Sequence, residues 1–87
     1  MTFKIETASR GRFTIFILSG RIGKEAIAVL NTLVEPQPDS RDIVLDLQDV
    51  SAVDRDAMIF LARCEAEGIK LENLTPYIRE WMEREKE

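Results

Sequence analysis

The sequence predicts an α/β domain of order ββαβαβα: a mixed, mostly parallel four-stranded sheet with its crossover helices on one face. Three observations predict it. Ile43-Val44-Leu45-Asp46-Leu47 is a β-branched and apolar run of strand length. Beyond a short acidic turn, Arg55–Glu67 is an amphipathic helix with Ala57, Met58, Phe60, Leu61 and Cys64 on its apolar face. Two further apolar runs, Phe13–Leu18 and Ile69–Leu71, stand before and after this pair, each reached through a segment of helical period. Such crossovers are right-handed and make the strands they join parallel.

In order along the chain, Phe3, Ile5 and Thr7 alternate with Lys4 and Glu6, the period-2 pattern of a strand with one wet face. Ser9-Arg10-Gly11 reads as a turn, and the short link to Phe13–Leu18 makes the two strands an antiparallel hairpin. Phe13–Leu18 is apolar on both faces, so it belongs inside the sheet, and Ser19-Gly20 ends it. Gly23 then caps a helix from Lys24 to about Glu35, with Ala26, Ile27, Leu30, Leu33 and Val34 on one stripe. Pro36 and Pro38 stop that helix, and Glu35–Arg41 is a loop.

After the central strand, Asp49–Val53 is the turn that leads to Asp54, the N-cap of the second long helix, and Gly68 is its C-cap. Thr75-Pro76 opens a last helix to about Glu85, in which Tyr77/Trp81 and Ile78/Met82 share one face. Arg79/Glu83 and Glu80/Arg84 supply charge pairs on the other face. With both crossovers of one hand, the face away from the helices is expected to carry Lys4, Glu6, Thr14, Phe16, Leu18, Val44 and Asp46. Its apolar centre, Phe16, Leu18 and Val44, then needs a cover: a second chain, or the terminal helix bearing Trp81.

Bulk properties narrow the function classes. The 87 residues form one domain with little room for a second core, and the 45% hydrophobic and 32% charged content is ordinary for a globular chain. A net charge of −4 argues against a nucleic-acid partner, which needs a cationic surface. No run approaches a membrane span and no leader pattern opens the chain, so the sequence reads as a cytoplasmic protein without membrane insertion. The single cysteine, Cys64, cannot form an intrachain disulfide. With no histidine, the commonest general base and metal ligand are both missing. No nucleophile–base pair is visible, so the sequence gives no reason to expect an enzyme or a cofactor.

The organisation resembles the STAS domain, found in bacterial anti-sigma-factor antagonists and in the cytoplasmic tails of sulfate transporters. Leu18-Ser19-Gly20-Arg21-Ile22, Ile43-Val44-Leu45-Asp46-Leu47-Gln48-Asp49-Val50, Val53-Asp54, Leu61 and Gly68-Ile69-Lys70-Leu71 carry the resemblance. In that family, the third strand is followed by an apolar residue, Asp, two hydroxyl residues and Gly, and the first hydroxyl accepts phosphate from a partner kinase. Here the corresponding residues are Val53, Asp54, Arg55, Asp56 and Ala57. The acceptor position is an arginine, so the resemblance implies the fold and a binding role without the phosphorylation switch. Its partners would be an anti-sigma factor or kinase-like protein, or a transporter component.

The candidate partner-binding residues are Arg21, Lys24, Ser51, Asp54, Arg55 and Asp56, on the two strand-to-helix loops at one end of the sheet. Asp54 is first a helix cap, and Asp56 gains about 0.3–1 kcal/mol from the helix dipole in the first turn. Arg55 between two acids reaches solvent, and Ser51 is the only hydroxyl of its loop. Asp46, Asp49, Asp54 and Asp56 lack the spacing of a calcium loop, and Cys64 reads as a small core residue. The expected function is a non-catalytic protein-interaction module that docks a partner or its own copy. The alternative is a small-molecule site, for a nucleotide at Arg21–Lys24 or a lipid on the open sheet face, in a transport-accessory role.

Overall fold

The computed structural model describes residues 3–36 and 39–85. Its elements are β1 (Phe3–Arg10), β2 (Phe13–Ile22), α1 (Lys24–Val34), a 3-10 turn at Ser40–Asp42, β3 (Ile43–Val53), α2 (Arg55–Ala66), β4 (Lys70–Glu72) and α3 (Pro76–Glu85). The α/β class expected from the sequence is present, as a four-stranded mixed sheet with three helices. The strands lie in the spatial order β1-β2-β3-β4, with β1 antiparallel to β2 and the others parallel. Among the described residues, no helix is long and apolar enough to cross a membrane.

The strands run further than local propensity predicts. Ser9 and Arg10 stay extended, and the hairpin reverses over Gly11-Arg12, with Arg10 paired to Phe13. Gly11 has φ 62°, the left-handed conformation that a glycine-first two-residue turn requires. Ser19-Gly20 does not end β2. Gly20, at φ 85°, instead sits at an irregularity in the pairing while the strand continues to Ile22. Likewise Asp49–Val53 is not a turn but the end of β3. Gly20 pairs with Val50, Arg21 with Ala52 and Ile22 with Val53, leaving Ser51 as the extra residue of a β-bulge. Two long parallel neighbours supply backbone partners to each other, and those hydrogen bonds override the glycine stop signal. Pro36 lies in the turn after α1 as expected, whereas Pro38 lies outside the described residues.

One core fills the space between the sheet and the helices α1 and α2. Ala26 and Leu30 of α1 and Ala57, Phe60, Leu61 and Cys64 of α2 meet Phe16, Leu18, Ile43, Leu45 and Leu47 of the two central strands. This placement corrects the expected open face. Register pairs Phe16 with Leu45 and Ile15 with Val44, so Thr14, Phe16 and Leu18 share the helix side, and Ile15 and Ile17 lie on the other. The physical reason is pleat parity. Once Leu45 and Leu47 point under the helices, their in-register neighbours on β2 must do the same. Lys4, Glu6, Val44 and Asp46 do lie on the open face.

The apolar centre of that face needs no terminal helix to hide it. Val44 is fully buried and Ile15 is 8% exposed. Arg10 of β1 and Glu72 of β4, on opposite edges of the sheet, join in an ion pair of 3.0 Å over this face. Helix α3 packs instead against α2, where Ile78 and Met82 close a second apolar cluster on Met58. Trp81 lies partly buried beside that cluster, and Tyr77 is 70% exposed. Arg79 is drawn to α2 as well. Its guanidinium donates two hydrogen bonds of 2.8 Å to the Glu65 carboxylate, while Glu83, the partner expected within the helix, stands at 3.9 Å.

Cys64 is a core residue, as its position on the apolar stripe predicts, and burial followed by the charge of Glu67 pushes its thiol up from 9.0 to about 11. A raised thiol pKa in the folded state means that the unfolded chain loses its proton first. Stability therefore falls as pH rises from 9.0 towards about 11. Urea midpoints measured across this window should decline, and a Cys64→Ala variant should lose that part of the decline. Native alkylation by iodoacetamide at pH 8 should be slow and become fast in urea; rapid native labelling would contradict a buried thiol.

Candidate functional site

The ends of β2 and β3 and the starts of α1 and α2 enclose a cleft of about 440 Å³. Ile22, Ala26, Val53 and Phe3 form its apolar floor, and Arg21, Lys24, Glu25 and Asp54 stand at its charged rim. This is the carboxyl end of the parallel strands, where loops between strand and helix build sites in open α/β sheets.

Local sequence explains the shape. Asp54 has extended backbone angles, and its Oδ1 accepts a hydrogen bond of 2.8 Å from the Ala57 N–H, capping α2 as expected. Its own N–H donates to the Ile22 carbonyl at 3.2 Å, which ties the start of α2 to the end of β2. The other carboxylate oxygen lies against Gly23, and a Cβ on Gly23 would stand 2.8 Å from it. The backbone of Gly23 is extended and strain-free, so glycine is required here by space alone. With no side chain of its own, Gly23 gives α1 no side-chain cap. The positive end of that helix therefore opens into the cleft beside Arg21 and Lys24.

The structure gathers some of the candidate residues and separates others. Arg21, Lys24 and Asp54 line one cleft. Ser51 is exposed at the bulge of β3, on a strand rather than in a loop. Arg55 and Asp56 are exposed on the first turn of α2 and do not line the cleft. Arg55 is also not a free cation. It pairs with Glu85 at 3.1 Å and thereby pins the end of α3 to the start of α2. Sequence reasoning missed Phe3, Glu25 and Ala26 as lining residues. Phe3 joins the site only because antiparallel pairing sets it beside Gly20.

No buried polar or charged side chain occurs among the described residues, and no group of three or more Cys, Asp or Glu is arranged to hold a metal ion. The site presents an apolar floor and a rim on which two cations, Arg21 and Lys24, stand beside two carboxylates, Glu25 and Asp54.

No protein-family model matches the chain, and no curated protein matches it. Among solved structures it is similar to one described as a crystal structure analysis of Mglu. The TM-score is 0.57 at 24% identity over 82% of this chain and 19% of that one. The chain thus spans 19% of the length of that protein, and the likeness is one of fold.

Proposed function

We propose that the protein is a non-catalytic interaction module of STAS type that docks a protein partner at the cleft between α1 and α2. What supports this reading most is the arrangement of Arg21 and Lys24 with the uncapped α1 terminus over an apolar floor, at the strand-to-helix end of the sheet. An acidic side chain of the partner meets the cations, and an apolar neighbour enters the floor. The ββαβαβα order with both crossovers on one face is the organisation that the STAS resemblance implies. Arg55 at the acceptor position leaves the module without a phosphorylation switch. An anti-sigma factor, a kinase-like protein or a transporter component is then the class of partner, met in the cytoplasm.

The test follows from what each side chain does. Asp54 also caps α2 and Arg55 pairs with Glu85, so variants there change more than the cleft. Arg21 and Lys24 are exposed. An Arg21→Glu, Lys24→Glu variant should keep the wild-type melting temperature and lose the partner in affinity capture from the source cells. Equal recovery of every protein by both forms rejects the reading. The size of the cleft supports a second reading, a small anionic ligand such as a nucleotide, which falls within the usual range for such pockets. On that reading, saturating ligand raises the melting temperature of wild type and leaves the double variant unmoved.

A further inference from the structure

The strand β1 is the long edge of the sheet, and nothing among the described residues pairs with its outer side. Unprotected edges of this length are templates for another strand. The chemistry of this edge selects its occupant. The two-residue hairpin makes Arg10 and Phe13 a hydrogen-bonded pair, and pairing continues without a shift to Phe3 and Gly20. Backbone groups then alternate, so those of Lys4, Glu6 and Ala8 turn to β2 and those of Phe3, Ile5 and Thr7 turn outward.

We infer that β1 pairs antiparallel with β1 of a second copy of this chain, about a two-fold axis at Ile5, to give one continuous eight-stranded sheet. In that register Ile5 meets Ile5 and Phe3 meets Thr7, each with outward backbone groups facing outward backbone groups. Lys4 then lies opposite Glu6 of the second copy, and Glu6 opposite its Lys4. These two contacts fall at non-hydrogen-bonded positions, where side chains stand closest. Both side chains can reach them, being 68% and 56% exposed and, among the described residues, ion-paired to each other at 3.1 Å.

The neighbouring registers are worse for stated reasons. A slip of one residue sets outward groups against inward ones, and a slip of two sets Lys4 on Lys4 or Glu6 on Glu6. Phe3 also lines the cleft, so the second copy borders the candidate site. The inference stands whether or not that site binds a protein.

Charge exchange tests it without disturbing the core. Wild type is expected to sediment as a concentration-dependent dimer. Lys4→Glu and Glu6→Lys should each weaken it by about tenfold or more, since both cross-strand pairs become like-charged. An equimolar mixture of the two variants should recover the dimer as a heterodimer, because each then offers what the other lacks. The Lys4→Glu, Glu6→Lys double variant should dimerise like wild type. Amide exchange at Ile5 and Thr7 should slow with concentration, while Lys4 and Glu6 stay constant. A wild type that remains monomeric at millimolar concentration overturns the inference. So does a dimer indifferent to either single substitution, or a mixture that fails to recover it.

Discussion

Replacing Leu45 by alanine is expected to cost about 2–5 kcal/mol. Leu45 is fully buried at the centre of β3, between Phe16 on β2 and Leu71 on β4 and beneath the crossover helices. Every neighbour is held by its own strand or helix, so the space left by the side chain cannot close. Domains of this size are stable by only about 5–15 kcal/mol, so the loss is a large part of the whole. Urea unfolding should show a midpoint lower by more than about 1 M with an unchanged slope. A loss below about 1 kcal/mol would mean that the sheet and helices repack around the cavity, and that the core is less tightly determined than its burial indicates.

The second large effect concerns two residues that are far apart in the chain and in contact in the fold. Gly23→Ala places a methyl group 2.8 Å from the Asp54 carboxylate, and the short side chain cannot retreat without releasing the Ala57 N–H. The expected cost is that of losing the cap, about 0.5–2 kcal/mol, the same as for Asp54→Ala. The decisive measurement is the double-mutant cycle. With Asp54 already replaced by alanine the clash is gone, and Gly23→Ala should become neutral or stabilise by up to about 0.4–1 kcal/mol through the unfolded chain. Additive losses in the cycle would show that the two sites do not act through this contact.

Much of the fold is legible in the sequence because its signals are local. The stripe Ala57, Met58, Phe60, Leu61 and Cys64 predicts a helix, and all five side chains are buried in α2. Asp54 predicts a cap, Thr75-Pro76 predicts a start and Gly68 predicts a stop. The structure shows the Asp54 bond, a Thr75 bond of 3.3 Å to the Ile78 N–H, and Gly68 at φ 102°. The candidate site was legible in part for the same reason. Arg21 ends β2, Lys24 begins α1 and Asp54 caps α2, and the sheet gathers these strand ends and helix starts at one end. Arg55 is exposed as its sequence position predicts, but its ion pair with Glu85 is not legible there because Glu85 is distant in sequence. Gly23 stands at the N-cap that the sequence predicts, while the constraint that keeps it glycine comes from Asp54, a neighbour in space alone.

Taken by itself, the sequence determined which segments are helices and strands, the ends of the helices, the apolar stripes, and the absence of histidine chemistry. Those properties depend on residues within one or two turns of each other. Only the tertiary structure decided how far β2 and β3 extend, which side of β2 faces the helices, and where α3 packs. It also decided that Arg10 and Glu72 close over the open face. Each of these depends on the register between segments far apart in the chain. Register is fixed by pleat parity and by the backbone partners a neighbouring strand offers, neither of which a single segment contains.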